Sequence, residues 1–342
     1  MSTVSQLEVL DIRHYNARQL RPLLEHESTV WQQRLSWDYR GSTELLLQYL
    51  DSRVLPGFVA LEDGKICGYT FCVYEGQKAV VGEAYAAGAV GNSPGEITRT
   101  LLIHLLEVLL HAPNISRVES QLLLYDGGST NTVFTEHGFT AYPRLFMECA
   151  IRPGSDAYQR LAAAPHTGFL PANLEIRQWS GTSYQASAEL IHDCYIGHID
   201  ARINDQYRSL HGSLRFLHNI VRFPGCGIFE EAASWLLVDR DSGRLAGLVL
   251  CSRVAAGVAH ITQLCIAPQF RGKGLAKPLL RHAMSHLSML GFHSITLTVT
   301  EINHSAVELY RQVGFTTRHS FDAMVLEKPS HSWSGVLERV ER

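Results

Sequence analysis

The stretch Gln269-Phe270-Arg271-Gly272-Lys273-Gly274-Leu275-Ala276 decides the fold, because it joins the strand-like run 260–268 to the helix-like run 275–290. Such a turn forms an anion site, since the first N–H groups of the helix lack partners and the helix dipole adds positive potential. Its two glycines let the backbone approach a ligand closely. Its arginine and lysine add positive charge. The stretch therefore predicts a site for a phosphate-bearing cofactor.

A second motif, Asn-x-x-Ala-x-x-Leu-Tyr-x-x-x-Gly-Phe, spans residues 303–315 and follows the strand-like run 294–300. A lone glycine loop is a weak signal, but two motifs separated by a helix and a strand are specific. Together they resemble the GNAT N-acetyltransferase superfamily, whose loop reads Gln/Arg-x-x-Gly-x-Gly/Ala and holds the pyrophosphate of acetyl-CoA. The residues that carry the second match are Asn303, Ala306, Leu309, Tyr310, Gly314 and Phe315.

Bulk properties narrow the class of protein. A length of 342 residues with 46% apolar residues suggests two domains, each with a real core. A net charge of −3 without a basic run argues against nucleic-acid binding. No apolar signal core or membrane-length stretch is present, so we expect a cytoplasmic protein without membrane contact. Seven cysteines without paired spacing predict neither a metal site nor a disulfide framework.

The sequence predicts a diverged tandem repeat of one fold. The Gly-Phe pair at 138–139 recurs at 314–315, an offset of 314 − 138 = 176 residues, with a similar order of elements before each pair. The fold class we predict is α/β, with two tandem GNAT-like domains, each a mixed, mostly antiparallel sheet flanked by helices. This layout is similar to that of the mycothiol synthase family. The predicted divisions are a degenerate domain at 1–152, a linker at 153–172, a catalytic domain at 173–330 and a tail at 331–342.

The first copy of the motif region has lost its anion-binding features. Aligning the two helices at an offset of 178 residues places Ser93–Glu96 opposite Arg271–Gly274. The first copy thus has a carboxylate and a proline where an anion site needs positive charge and N–H donors. Phe134 replaces the tyrosine of the second motif. We therefore predict that only the second domain binds acetyl-CoA.

The resemblance implies how the cofactor is held. In the family, the strand before the loop splays from its neighbour, and its main chain hydrogen-bonds the pantetheine. One N–H of that strand also polarises the thioester carbonyl. Asn303 either bonds the pantetheine or caps the following helix. The implied cofactor-binding residues are Leu264, Cys265, Ile266, Arg271, Gly272, Lys273, Gly274, Leu275, Ala276, Asn303, Ala306 and Tyr310.

Tyr310 occupies the place of the family's general acid, which protonates the leaving thiolate. The base is open. Family members often carry a glutamate near the position of Thr262, but residues 260–266 contain no carboxylate. His260 is one candidate, since a histidine titrates near neutrality. A water chain from Thr262 or Gln263 is a second possibility, and the absence of any enzyme base is a third.

The function these features predict is acetyl-CoA-dependent N-acetylation of a small-molecule amine, by direct transfer in a ternary complex on the second domain. The polar segment 193–223 lies where the family's substrate-covering helices are found. Two alternatives stay open, namely acetylation of a protein or peptide amine and a non-catalytic acyl-CoA-binding regulator. The sequence does not fix the acceptor or the oligomeric state.

Overall fold

One continuous sheet runs through both halves of the chain. The structure is a computed structural model that describes residues 7–88, 91–163, 170–223 and 227–328. The strands of the first half are β1 (Leu7–Asp11), β2 (Gly57–Glu62), β3 (Lys65–Glu75), β4 (Lys78–Ala86), β5 (Arg117–Gln121) and β6 (Thr140–Ala150). Those of the second half are β7 (Leu174–Gln178), β8 (Ile228–Phe229), β9 (Trp235–Asp239), β10 (Leu245–Ala255), β11 (Val258–Ile266), β12 (Ser294–Thr300) and β13 (Thr316–Glu327).

Helices cover the sheet in both halves. The first half carries α1 (Ala17–Leu35), α2 (Arg40–Asp51), α3 (Pro94–His111), α4 (Asn131–Glu136) and α5 (Asp156–Ala163). The second half carries α6 (Tyr184–Tyr195), α7 (Asp200–Ile203), α8 (Leu210–Arg222), α9 (Ala276–Met289) and α10 (His304–Val313). In both halves a hairpin leads to a strand, a long helix, a strand, a short helix and a last strand. The predicted α/β fold of two similar units is confirmed.

The helix predicted after the glycine loop is present, and its apolar stripe is core. Leu279, Leu280, Ala283, Met284 and Leu287 are all fully buried. Their 3.6-residue spacing places them on one face of α9, which packs on the sheet. The stripe therefore fixes α9, and with it the loop, against strand β11.

The two halves exchange their last strands. The sheet order is β1-β2-β3-β4-β5-β13-β6-β12-β11-β10-β9-β7. Strand β6 pairs with β12 of the second half, from Ser294↔Ala150 to Thr300↔Arg144. Strand β13 pairs in turn with β5 of the first half. Each half thus completes the sheet of the other. The predicted boundaries stay predictions, and residues 164–169 of the linker and the tail 331–342 lie outside the described residues.

A V-shaped opening forms in each half where two parallel strands part. Strands β11 and β12 pair only from Val258↔Ser294 to Ile261↔Leu297, although β11 continues to Ile266. Leu250 pairs with Gln263 while its neighbour pairs with Ile261, so Thr262 is the extra residue of a β-bulge. The bulge turns the end of β11 away from β12. Strands β4 and β5 part in the same way beyond Val81↔Ser120.

Candidate active site

A cavity of about 880 Å³ opens where β11 and β12 part. The end of β11, the glycine loop, α10 and the α6–α8 segment form most of its wall. Gln121 and Arg144 of the first half also line it. The predicted site residues that reach the cavity are His260, Thr262, Leu264, Cys265, Ile266, Arg271, Gly272, Gly274, Leu275, Ala276, Asn303, Ala306 and Tyr310.

The glycine loop offers free backbone donors to this cavity. Gly272 and Gly274 have φ angles of 74° and 72°, which other residues rarely adopt. A Cβ at either position would meet nothing within 4 Å, so there is room for a ligand. Helix α9 begins at Ala276 without a side-chain cap. Among the described residues, the N–H groups of 272–275 find no acceptor. The loop therefore has the space and the donors that a phosphate group needs.

The two cationic side chains of the loop differ in their contacts. Arg271 donates from Nε to the Ile266 carbonyl (3.1 Å) and from Nη2 to the Cys194 carbonyl (2.7 Å). It thereby fastens the end of α6 to the end of β11. Lys273 does not line the cavity, and its Nζ lies 5.1 Å from the centroid of the Phe270 ring. Their predicted contacts with phosphate stay predictions.

The splayed end of β11 has an edge without a strand partner. Leu264, Cys265 and Ile266 all line the cavity beyond the last pairing with β12. The Ile266 carbonyl already accepts from Arg271 and from the Cys194 thiol (3.3 Å). The main chain of Leu264 and Cys265 is therefore better placed than Ile266 to bind an extended ligand as an added strand does.

Tyr310 reaches the cavity from α10. Its side chain is nearly buried, and within the described ranges its hydroxyl has no hydrogen-bond partner. Burial raises the pKa of the Tyr310 phenol above its usual value, and the Asp200 carboxylate and the Cys265 thiol add to this rise. The phenol therefore keeps its proton at neutral pH, as a general acid must.

His260 lies at the closed end of the cavity in an apolar setting. Its ring packs edge-on against Trp37 of the first half, with centroids 5.0 Å apart. Its Nδ1 lies 2.9 Å from Thr296 Oγ1. Burial, with the charge of Arg144, lowers the pKa of His260 to about 3. A ring with this pKa is a poor acceptor for an amine proton, so its role as the base stays a prediction that the surroundings disfavour.

Thr262 and Asn303 both make local structural contacts. The Thr262 hydroxyl donates to the Leu250 carbonyl (3.1 Å) across the bulge. The Asn303 side chain accepts from the Ala306 N–H (3.4 Å) and so caps α10, as one of its two predicted roles requires. Its Nδ2 lies 3.3 Å from His198 Nε2 in the cavity wall. A contact of Asn303 with pantetheine and a water chain from Thr262 stay predictions.

Asp200 and His198 are cavity residues that no sequence motif marks. Asp200, at the start of α7, accepts a hydrogen bond from the Thr300 hydroxyl, and its Oδ2 lies 3.7 Å from His198 Nδ1. Its charge acts on the Tyr310 phenol, so it lies near the predicted acid. The only signal for them was the mixed polarity of segment 193–223. Asp200 thus places a carboxylate in the cavity wall.

A buried lysine of the first half holds the segment that follows Asp200. Lys78, at the start of β4, is 4% exposed. Its Nζ lies 2.6 Å from Asp205, 3.1 Å from Glu75 and 3.4 Å from Glu119. Because Asp205 belongs to the second half, this cluster of charges joins the two halves at the cavity wall.

Arg117, beside Lys78 at the start of β5, extends the same network. Its Nε pairs with Glu119 at 2.6 Å, and it also pairs with Glu327 at the end of β13. Its Nη2 donates to the carbonyls of Arg202 (2.6 Å) and Ile203 (3.3 Å). Arg117 thus fastens α7, which carries Asp200, to the sheet of the first half.

The equivalent cradle in the first half is closed by its own side chains. Ser93 and Glu96 form a capping box at the N-terminus of α3, in which each side chain binds the backbone N–H of the other. The Glu96 carboxylate therefore occupies donors that a phosphate would need. In the V-shaped opening between β4 and β5, the Tyr125 hydroxyl donates to the Ala84 carbonyl of β4 (2.7 Å). These contacts give a physical reason for the predicted loss of cofactor binding.

A buried acid in the first half provides a test of the packing. Glu27 on α1 accepts from Trp31 Nε1 (3.1 Å) and from the Tyr69 hydroxyl (2.6 Å). Burial raises the pKa of Glu27 to about 7. Between about pH 4.5 and 7 the folded protein thus binds a proton that the unfolded chain releases, and stability falls as pH rises. We expect Glu27→Gln to prevent this fall, which amounts to at most about 3 kcal/mol of unfolding free energy.

The check is denaturant unfolding of the variant and the wild type from pH 5 to 8. His260, with its lowered pKa, contributes the opposite slope below about pH 6.5, so the difference between the two proteins is the measure. The unfolding free energy of the variant should increase relative to that of the wild type as pH rises. A difference that stays constant would contradict the proposed burial of a titrating Glu27.

Known proteins resemble the second half of the chain in sequence. Residues 203–315 match the Acetyltransferase (GNAT) family. A mycothiol acetyltransferase of Thermomonospora curvata is 31% identical over 101 residues, 30% of this chain and 33% of that protein. A spermidine N(1)-acetyltransferase of Vibrio cholerae is 41% identical over 92 residues, 26% of this chain and 52% of that protein. The matches therefore span about a third to a half of these relatives.

A solved tandem GNAT protein from the clavulanic acid biosynthesis pathway matches the fold. It aligns over 95% of this chain and 100% of its own, with a TM-score of 0.57 and 14% identity. At this identity the likeness concerns the fold alone. The chain thus has the fold of a tandem GNAT protein, and its residues 203–315 match the GNAT acetyltransferase family.

The described ranges 7–88, 91–163, 170–223 and 227–328 offer neither a membrane-spanning helix nor a cluster of metal ligands. None of the helices in these ranges is both long and apolar enough to cross a bilayer. The same ranges contain no cluster of three or more histidine, cysteine, aspartate or glutamate side chains that could hold a metal ion.

Proposed function

We propose that the second half of the chain transfers the acetyl group of acetyl-CoA to the amino group of a small molecule, in a direct ternary complex. The observation that carries this proposal is the convergence on one cavity of the glycine loop, the free edge of β11 and the Tyr310 side chain. These are the parts that hold phosphates, bind an extended chain and donate a proton. The family match over 203–315 supports the same reading.

A small acceptor is favoured by the relatives and by the shape of the site. The two relatives named above are a mycothiol and a spermidine acetyltransferase. In this chain, α7 and the residues around it cover the cavity and are fastened by Lys78 and Arg117. A peptide acceptor would need an open groove across this wall. Transfer to a protein or peptide is therefore the second reading.

The residues present fit acetyl-CoA as the acyl donor. The open space at Gly272 and Gly274 and the free N–H groups of 272–275 would hold its pyrophosphate. The main chain of Leu264 and Cys265 would bind its pantetheine. The thioester, once bound, supplies the acetyl group. No metal enters this proposal.

The chemistry left to the protein is proton transfer and orientation. Tyr310 holds a proton that it can give to the leaving sulfur. Asp200 orients the acceptor amine beside it by its negative charge. His260 is not part of this scheme, because its lowered pKa makes it a poor base.

Calorimetric titration of acetyl-CoA tests the proposal. We expect one site per chain in the wild type and a loss of at least about 100-fold in affinity for Gly272→Glu, because this change puts a side chain and a negative charge into the cradle. The matched control is Gly243→Glu. Gly243 also has a positive φ (68°) and open space around it, but lies in a turn away from the cavity.

The possible outcomes separate the readings. No binding to the wild type would overturn the proposal. Two sites per chain would show that the first half also binds the cofactor. Equal losses in both glycine variants would indicate backbone strain and not a blocked cradle. Binding with no transfer to any amine would favour an acyl-CoA-binding regulator.

A further inference from the structure

Arg144 is a cation in the cavity wall without an acidic partner. It lies on the exchanged strand β6, opposite Thr300 of β12. Its Nη1 donates to Gln121 Oε1 (2.8 Å), and its Nη2 lies 3.5 Å from Thr298 Oγ1. Its Nε is buried and meets no acceptor. In the described part of the chain, no carboxylate lies within ion-pair distance of this guanidinium.

The guanidinium of Arg144 is half-buried and faces the cavity without an anionic partner. When a ligand displaces water from the cavity, this charge loses its hydration, and an anion on the ligand would offset that cost. Arg117, on the neighbouring strand, shows the usual solution, with Glu119 at 2.6 Å. The neighbours of Arg144 are instead an amide, a hydroxyl and the Phe321 ring, whose centroid lies 5.9 Å from Cζ, and none of them carries a negative charge. Its planar fork is suited to an oxyanion such as a carboxylate or a phosphate.

An opposite charge lies on the other side of Thr300. The hydroxyl of Thr300 donates to Asp200, while its backbone is the antiparallel partner of Arg144. Asp200 and Arg144 both line the cavity but do not form an ion pair with each other. A ligand in this space would therefore meet a negative charge beside Tyr310 and a positive charge one strand away.

We propose that Arg144 binds an oxyanion on the acceptor, a carboxylate or a phosphate, while Asp200 faces the amine that is acetylated. The acceptor is then a small molecule that carries both groups. The first half, through strand exchange, supplies the residue that selects it. This inference rests on the proposed function, since it names the substrate class of the same site.

The test uses pairs of acceptors that differ by one oxyanion. The pairs are lysine and cadaverine, histidine and histamine, and phosphoethanolamine and ethanolamine. In the wild type, kcat/KM should favour the oxyanion member of at least one pair by about 10- to 100-fold, the effect of a hydrogen bond to a charged group. The first two pairs report on a carboxylate, and the third reports on a phosphate.

Two variants remove the preference in different ways. Arg144→Gln deletes the charge. Gln121→Glu keeps Arg144 but supplies a carboxylate at the atom that already accepts its Nη1 hydrogen bond. Each should bring the ratio within a pair to about 1, whereas Arg144→Lys should retain part of it. An unchanged ratio in both folded variants, or no preference for any pair in the wild type, would overturn the inference.

A binding measurement separates this inference from the proposed function. With CoA present, the oxyanion member of the preferred pair should raise the melting temperature of the wild type more than its partner does. That difference should vanish in Gln121→Glu, whose guanidinium is still in place. If this holds while no amine is acetylated, the proposed function fails and the site stands. If amines are acetylated without any dependence on Arg144, only the site fails.

Discussion

Replacing Tyr310 by phenylalanine is expected to lower kcat for amine acetylation by about 10²- to 10⁴-fold, the size of a lost general acid. The change removes only a hydroxyl, which has no hydrogen-bond partner among the described residues. The ring should keep its packing against Phe315, with centroids 5.8 Å apart. Acetyl-CoA affinity and unfolding free energy should therefore stay close to those of the wild type. Steady-state kinetics with saturating acetyl-CoA measure the loss.

Tyr125→Phe is the matched control for this prediction. Its hydroxyl lies in the V of the first half and donates to the Ala84 carbonyl. If only the second half is catalytic, this variant should lose some stability but little activity. A small effect of Tyr310→Phe on kcat would show that the thiolate leaves without an acid from this residue. Equal losses in both variants would indicate a general defect in folding.

Replacing Arg117 by methionine is expected to destabilise the protein by up to about 3–5 kcal/mol, because it removes the nearer of the two cations that pair with the buried Glu119 and leaves only Lys78, at 3.4 Å. Arg117 is 6% exposed and neutralises Glu119, which is equally buried. It also binds the carbonyls at the end of α7. The variant should therefore also raise KM for the acceptor, since α7 carries Asp200. Denaturant unfolding and acceptor kinetics measure the two effects.

The control is Arg177→Met on strand β7. Arg177 pairs with Glu175 as Arg117 pairs with Glu119, but its side chain is 61% exposed. A surface pair of this kind contributes about 0–1 kcal/mol. Similar losses in the two variants would mean that burial of the Arg117 network is not what stabilises it. A loss of stability without a change in KM would separate α7 from the acceptor site.

The sequence predicted the parts of the site that depend on local spacing. The glycine loop and Tyr310 meet in one cavity, because both motifs sit at the ends of elements whose order the fold fixes. Helix α9 lies within one residue of its predicted bounds, because its apolar stripe has a clear period. These features need only information from neighbouring residues.

Features that depend on distant residues were not predictable in this way. His260 is buried by Trp37, which is more than two hundred residues away in the chain. Arg271 binds the end of α6, whose position no motif gives. Asp200 lies on a four-residue helix with no signature. A side chain's chemistry in a site depends on what the fold places beside it, and the spacing of residues along the chain does not show that.

Strand exchange could also not be predicted from the pattern of apolar and polar residues. Strands β6 and β13 follow equivalent Gly-Phe pairs and occupy equivalent places in the two halves. Each could pair within its own half or with the other, since alternation of side chains specifies a face and not a partner. The structure shows the second arrangement, and this brings Arg144 to the cavity.

Because the last strands are exchanged, the two halves are complementing fragments that are covalently joined in one chain. A protein cut between β6 and β7 would still need both pieces, because the edge of β12 would lose its neighbour and expose unpaired backbone groups. Residues 170–328 produced alone should therefore aggregate or pair with a second copy. Mixed with residues 7–163, they should regain the native assembly. The first half then acts as a permanent folding partner of the second half.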